Sequence, residues 1–207
     1  MKQATVIRVL GLGLLCLLCT AALAQEFSAD IVTTDKRQAG QNTKIYVSKN
    51  KMRMEGMGQK NEMGAVLVNY DTQMMDIIMP SRHMYMESNI GQGPGQRHNM
   101  FRFFQAIDVE NACPDWQKMT DHPGGSCQRI GDDTANGRPA VKYAVTSAEG
   151  KNSTVWIDKS LKFPIKWQEQ DSSGELQNIH EGPQPGALFE IPAGYQKFDM
   201  GNMMRQH

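Results

Sequence analysis

What the sequence lacks excludes most function classes before any motif is read. Its 22 Lys and Arg residues are matched by 22 Asp and Glu, whereas a dedicated nucleic-acid or anionic-membrane binder needs a basic excess. No apolar run reaches the roughly 18 to 20 residues that a membrane-spanning helix requires. There is no Gly-x-Ser-x-Gly nucleophile elbow, and the glycine-rich stretch Asn89 to Gln96 is not followed by the Gly-Lys-Ser/Thr of a phosphate-binding loop. His83, His98, His122, His180 and His207 never stand four apart, as the helical zinc enzymes need. Asp132 to Gly137 begins like a calcium loop, but Tyr143 occupies the place of the bidentate Glu. The carboxylates show no catalytic spacing. No catalytic residue, metal centre or cofactor is expected, and a non-enzymatic role is the reading that remains.

The N-terminus carries an address. Lys2 and Arg8 precede the apolar run Val9 to Leu18, and Ala22-Leu23-Ala24 offers a small-x-small cleavage site, so residues 1–24 read as a secretory signal peptide. Cys16 and Cys19 each follow Leu, where lipid attachment wants a small residue. Residues 1–24 hold two of the basic residues and no acid, leaving 20 against 22 and a formal charge of −2. The remainder suits one domain, residues 26–198, followed by a flexible methionine-rich tail, residues 199–207. Only Cys113 and Cys127 survive cleavage. In an oxidising compartment an isolated pair is most simply a disulfide, which closes a loop of about 15 residues and contributes roughly 3 kcal/mol in the chain-entropy account.

Within that domain the stretch Lys44 to Glu87 reads as a four-stranded antiparallel meander loaded with methionine. Lys51-Met52-Arg53-Met54-Glu55 alternates with the period of a strand that is dry on one face. Strands follow at Met63 to Tyr70, Met74 to Met79 and Arg82 to Glu87, the last with Met84 and Met86 sharing a face with Arg82. Asn99 to Ile107 spaces Met100, Phe103, Phe104 and Ile107 as a short amphipathic helix, to be buried against the methionine face. Thioethers repack around irregular guests, so Met52, Met54, Met84, Met86, Phe103 and Phe104 are the candidate ligand contacts, with Asn89 to Gln96 as a lid. The plainer alternative is that these methionines are core. A third reading is copper(I) held by Met52, Met54 and Met57, or by Met200, Met203 and Met204 beside His207.

The C-terminal half returns to strands. Between the cysteines, Pro114, Pro123 and Gly124-Gly125 suggest an irregular loop. Phe27 to Thr34 forms a first strand, and Asn136-Gly137 is a hairpin signal before Pro139 to Thr146. Ser153 to Ile157, Leu161 to Gln168 and Leu176 to Glu181 follow, Pro164 implying an edge position or a bulge. Ala187 to Ile191 is the last core segment, anchored by Phe189.

Several phrases together resemble the outer-membrane lipoprotein carrier superfamily, in particular a periplasmic branch of unknown function. They are Val155-Trp156-Ile157-Asp158, Phe163-Pro164-Ile165-Lys166, Ser173-Gly174 and Leu188-Phe189-Glu190-Ile191-Pro192-Ala193-Gly194-Tyr195. Asp71, Pro80 and Tyr85, with Cys127 and Asn136-Gly137-Arg138, extend the pattern over most of residues 26–198. The resemblance implies a mainly β fold: a half-open antiparallel β-barrel with helix packed on its concave face, which takes up acyl chains or other apolar ligands in the periplasm. It also allows for a protein partner in the cell envelope. One clear helix, where lipoprotein carriers have several, is the departure.

Overall fold

The computed structural model describes residues 26–35, 43–56, 64–90, 107–120 and 125–198, the side chains of residues 119 and 120 excepted. The expected signal segment, most of the glycine-rich loop, the expected helix before Ile107 and the expected tail after Phe198 lie outside these residues.

Alternating sequence becomes sheet nearly throughout. The strands are β1 (Phe27–Thr33), β2 (Thr43–Ser48), β3 (Lys51–Glu55), β4 (Ala65–Asn69), β5 (Met74–Met79), β6 (Met84–Asn89), β7 (Ser126–Ala135), β8 (Arg138–Thr146), β9 (Asn152–Asp158), β10 (Pro164–Glu169), β11 (Ser173–Glu181) and β12 (Gln196–Lys197). They form one 12-stranded sheet in the order β12-β6-β5-β4-β3-β2-β1-β11-β10-β9-β8-β7. Every neighbouring pair is antiparallel except β12 with β6. The end strands do not meet, so this is the half-open antiparallel barrel, with one short α-helix among the described residues, α1 (Cys113–Thr120). Two meanders, β2 to β6 and β7 to β11, are joined through β1, which pairs with β2 on one side and β11 on the other.

The helix falls where an irregular loop is expected. Pro114 sits in the first turn, where a missing N–H costs nothing, and Asp115 pairs with Lys118 at 3.2 Å along the helix surface. The disulfide Cys113–Cys127 fastens α1 to β7. Beneath it Ile107, Val109 and Ala112 pack with Val141, Tyr143 and Ile157 as a second hydrophobic cluster. The Tyr143 hydroxyl donates to the Val109 carbonyl at 2.7 Å and accepts the Ala112 N–H at 3.2 Å, so one buried phenol orders the approach to the helix.

Three other boundaries shift for local reasons. Pro80–Arg82 form a 3-10 turn that ends on His83 in the left-handed conformation, and β6 starts only at Met84, so Arg82 does not share its face. Leu161 and Phe163 are buried but lie in the turn before β10, and the strand enters through a register shift between Pro164 and Lys166, the bulge that the proline implies. Ala187 to Ile191 is not core: Gly186–Phe189 is a 3-10 turn without a buried residue.

The β9–β10 turn is built on an ion pair. Asp158 is 1% exposed, its Oδ1 accepting the N–H groups of Ser160 at 2.8 Å and Leu161 at 2.7 Å. Arg138 bonds its Oδ2 through Nε, and through Nη2 reaches Glu181 at 2.6 Å. Gly174, across from Trp167, has a packing role: the indole ring fills the space that a Cβ would take.

Candidate functional site: the methionine face

Cross-strand register brings the four predicted methionines onto one face. One row runs Phe27–Val47–Met52–Val68–Met75–Ser88 and the next Ala29–Ile45–Met54–Val66–Ile77–Met86, with Met79 opposite Met84 beyond them. Directly opposed residues in antiparallel strands project to the same side, so this face is continuous from β1 to β6. By the same register it extends through Gly174, Trp167, Val155 and Tyr143 to the cluster that α1 covers.

Burial grades along the rows. Met52 is 1% exposed and belongs to the main core with Phe27, Val66 and Val68, so a ligand would reach it only by displacing neighbours. Met54, Met75 and Ile77 are partly buried against that core, and Met84 and Met86 are partly buried on the last long strand. The Tyr70 hydroxyl lies 4.0 Å from the Met52 sulfur, and burial pushes its pKa well above that of a free phenol. Met52 thus offers its sulfur to a neighbouring hydroxyl. Met57 and the tail methionines of the copper reading lie outside the described residues, as do Phe103 and Phe104.

The sequence reading missed Met75, Ile77 and Met79, which carry the face across β5. The signal was present, since Met75, Ile77 and Met79 alternate with Met74, Asp76 and Ile78. It was obscured because Met74 and Ile78 make the strand apolar on both sides. That second apolar side has a cover: Ala65, Leu67 and Ile78 pack with Tyr85, Ile191 and Tyr195, so the C-terminal segment lies on the outer face. Arg53 Nη1 donates to the Leu188 carbonyl at 2.8 Å, and the N–H groups of Gln196 and Phe198 bond the His83 and Tyr85 carbonyls at 3.0 and 2.7 Å.

Charge divides cleanly between the faces. In the two methionine rows no side chain is ionisable, whereas the opposite face carries the row Arg53–Leu67–Asp76–Glu87. Asp76 sits beneath the C-terminal segment with Oδ1 buried and without a hydrogen bond. Burial, with Glu87 directly across, raises its pKa, and Lys197, which pairs with Glu87, opposes that rise. A raised carboxyl pKa means that the folded state holds the proton more tightly, so this residue favours folding at low pH and loses that contribution as pH rises through its folded pKa. Asp76→Asn is therefore expected to raise the thermal midpoint at pH 7, and the gain should vanish below the ordinary aspartate pKa. Thermal melts of both proteins from pH 3 to 8 check it; an equal shift at every pH would trace the effect to packing instead.

No protein-family model matches the sequence, and no curated protein matches it. Solved structures are similar in fold. An uncharacterized conserved protein from Thermus thermophilus superposes with a TM-score of 0.53 at 10% identity, over 86% of this chain and 91% of that one. PNGF-II gives 0.51 at 9% identity, over 88% of this chain and 33% of its own. A LolA superfamily protein from Nitrosomonas europaea overlaps with a TM-score of 0.33 at 12% identity, over 81% of this chain and 90% of that one. At these identities the first two likenesses concern the fold alone, and the third is too slight to decide family or ligand.

Proposed function

We propose that this chain is a non-enzymatic binding protein of the lipoprotein-carrier type, holding a lipid or other apolar ligand against the methionine face in an extracytoplasmic compartment. The observation that carries the reading is the uncharged, graded face: the rows through Met52 and Met54 run from a sealed core to half-buried Met86, with half-buried Met84 just beyond, without an ionisable group. An acyl chain needs such a surface, since each unpaired buried charge would cost several kcal/mol. Methionine at the half-buried end suits it, because an unbranched thioether repacks around a guest more readily than Leu or Val. The Cys113–Cys127 disulfide supports an oxidising compartment.

The test is a fluorescent fatty-acid probe titrated into the protein and into Met84→Lys and Met86→Lys variants. Both positions are partly exposed, so the variants are expected to fold, which circular dichroism verifies. Loss of about 2 kcal/mol of contact should weaken binding roughly thirtyfold. Equal binding by all three proteins, or none by the parent, would retire the reading.

A further inference from the structure

Away from the methionine face, we propose that a polar groove between the β7–β8 turn and β11 binds a neutral saccharide. The groove has a volume of about 500 Å³ and is lined by Asn136 and Arg138 on one side and by Glu175, Gln177 and Asn178 on the other, with Leu176 and Ile179 as its aliphatic part. That size lies within the roughly 300 to 1,000 Å³ of small-ligand sites. Such sites are mostly apolar, and this one is mostly amide, guanidinium and carboxylate, so its chemistry selects a polar guest.

The groove is a product of two irregularities. The β1–β11 register slips between Ser28–His180 and Asp30–Gln177, leaving Asn178 and Ile179 in a bulge that redirects their side chains. Asn178 is left-handed with φ 50°, as is Asn136 with φ 52° at the tip of the facing hairpin. The hairpin tip is fixed by the Asn136 side-chain amide, which donates to the Leu176 carbonyl at 3.0 Å. On the other wall the Asn178 amide donates to Asp30 at 2.7 Å and the Gln177 amide to Glu175 at 2.6 Å. Each of these bonds uses the nitrogen of an amide and holds its plane. Arg138 commits Nε and Nη2 to Asp158 and Glu181, which orients the guanidinium and leaves Nη1 for the groove.

Two features choose the class of ligand. Charge is the first: Arg138 is already balanced by Asp158 and Glu181, and Glu175 adds a negative charge, so nothing draws an anion. Hydroxyl groups, which both donate and accept, match a wall that alternates amide, carboxylate and guanidinium groups. The second is backbone shape: β10 pairs with β11 only as far as Glu175, but beyond it the Asn136 amide occupies the Leu176 carbonyl and the left-handed Asn178 interrupts the extended run that an added peptide strand would need.

The experiment probes a neutral-glycan array with the labelled full chain, then titrates each bound glycan calorimetrically into the parent and into Gln177→Ala and Glu175→Gln. Gln177 is exposed and Glu175 half-buried at the surface, so neither change threatens the fold. At least one neutral saccharide is expected to bind, with a dissociation constant raised about tenfold in both variants. No glycan bound above background, affinities unchanged by both variants, or binding of an unstructured tetra-alanine peptide in place of the glycans would overturn the proposal.

Discussion

Replacing Arg138 with Met is expected to cost about 3 to 5 kcal/mol of unfolding free energy, read as a lowered urea midpoint at pH 7. The loss comes from what remains behind. Asp158 is 1% exposed, so water cannot replace the guanidinium, and its two backbone donors serve Oδ1 and leave Oδ2 alone. Glu181 is half in solvent and its share of the loss is small. Adding Asp158→Asn to the Arg138→Met background should return part of the loss, because a neutral amide oxygen still accepts from Ser160 and Leu161 without stranding a charge. A double-mutant cycle measures the coupling directly. If Arg138→Met costs less than about 1 kcal/mol, well below the 3 to 5 kcal/mol of a broken buried pair, the pair is not the organiser of the β9–β10 turn.

The second large effect is that of the disulfide. Cys113→Ser with Cys127→Ser should lower stability by about 3 kcal/mol, as the chain-entropy account gives for a loop of this length. A reducing agent should do the same to the parent protein and nothing further to the variant. The reason is structural as well as entropic: the bridge fastens α1 to β7 over Ile107, Val109 and Ala112, which cap Val141, Tyr143 and Ile157. Tyr143 retains its two hydrogen bonds to the 107–112 segment without the bridge. The variant is therefore expected to fold with α1 more exchangeable than the strands, a pattern that amide hydrogen exchange would display. Two free thiols in the native parent protein would refute the pairing itself.

The strands were legible because their signal is local. Alternation in Lys51 to Glu55, the Asn136-Gly137 turn and the proline bulge at Pro164 each depend on residues a few positions apart. Helix α1 was not, because Pro114 and the nearby glycines read as breakers and only position decides otherwise: a proline in the first turn is harmless. Ala187 to Ile191 misled for the opposite reason. Ile191 does pack against the sheet, but as a cover on the outer face, and nothing in a short apolar run says which side of a sheet it meets. Of the candidate site, the sequence placed Met52, Met54, Met84 and Met86 on one face. It did not show that Met52 is sealed, since depth depends on how many strands flank a position and on what packs above it.

The position of β1 at the seam has a consequence for the order of events in time. Its partner β2 begins only ten positions after β1 ends, but β11 is the last long strand to be made, with some 140 residues between Thr33 and Ser173. Closing that gap forfeits chain entropy before any seam contact forms, and contacts so distant in sequence slow the whole transition. As the chain emerges from its N-terminus, the meander β1 to β6 can therefore assemble while its far border stays raw. Until β11 arrives, β1 presents an unpaired edge beside Val32, which even in the finished protein is 45% exposed. This interval, before the halves are joined, is when the protein is most open to aggregation and most dependent on a chaperone.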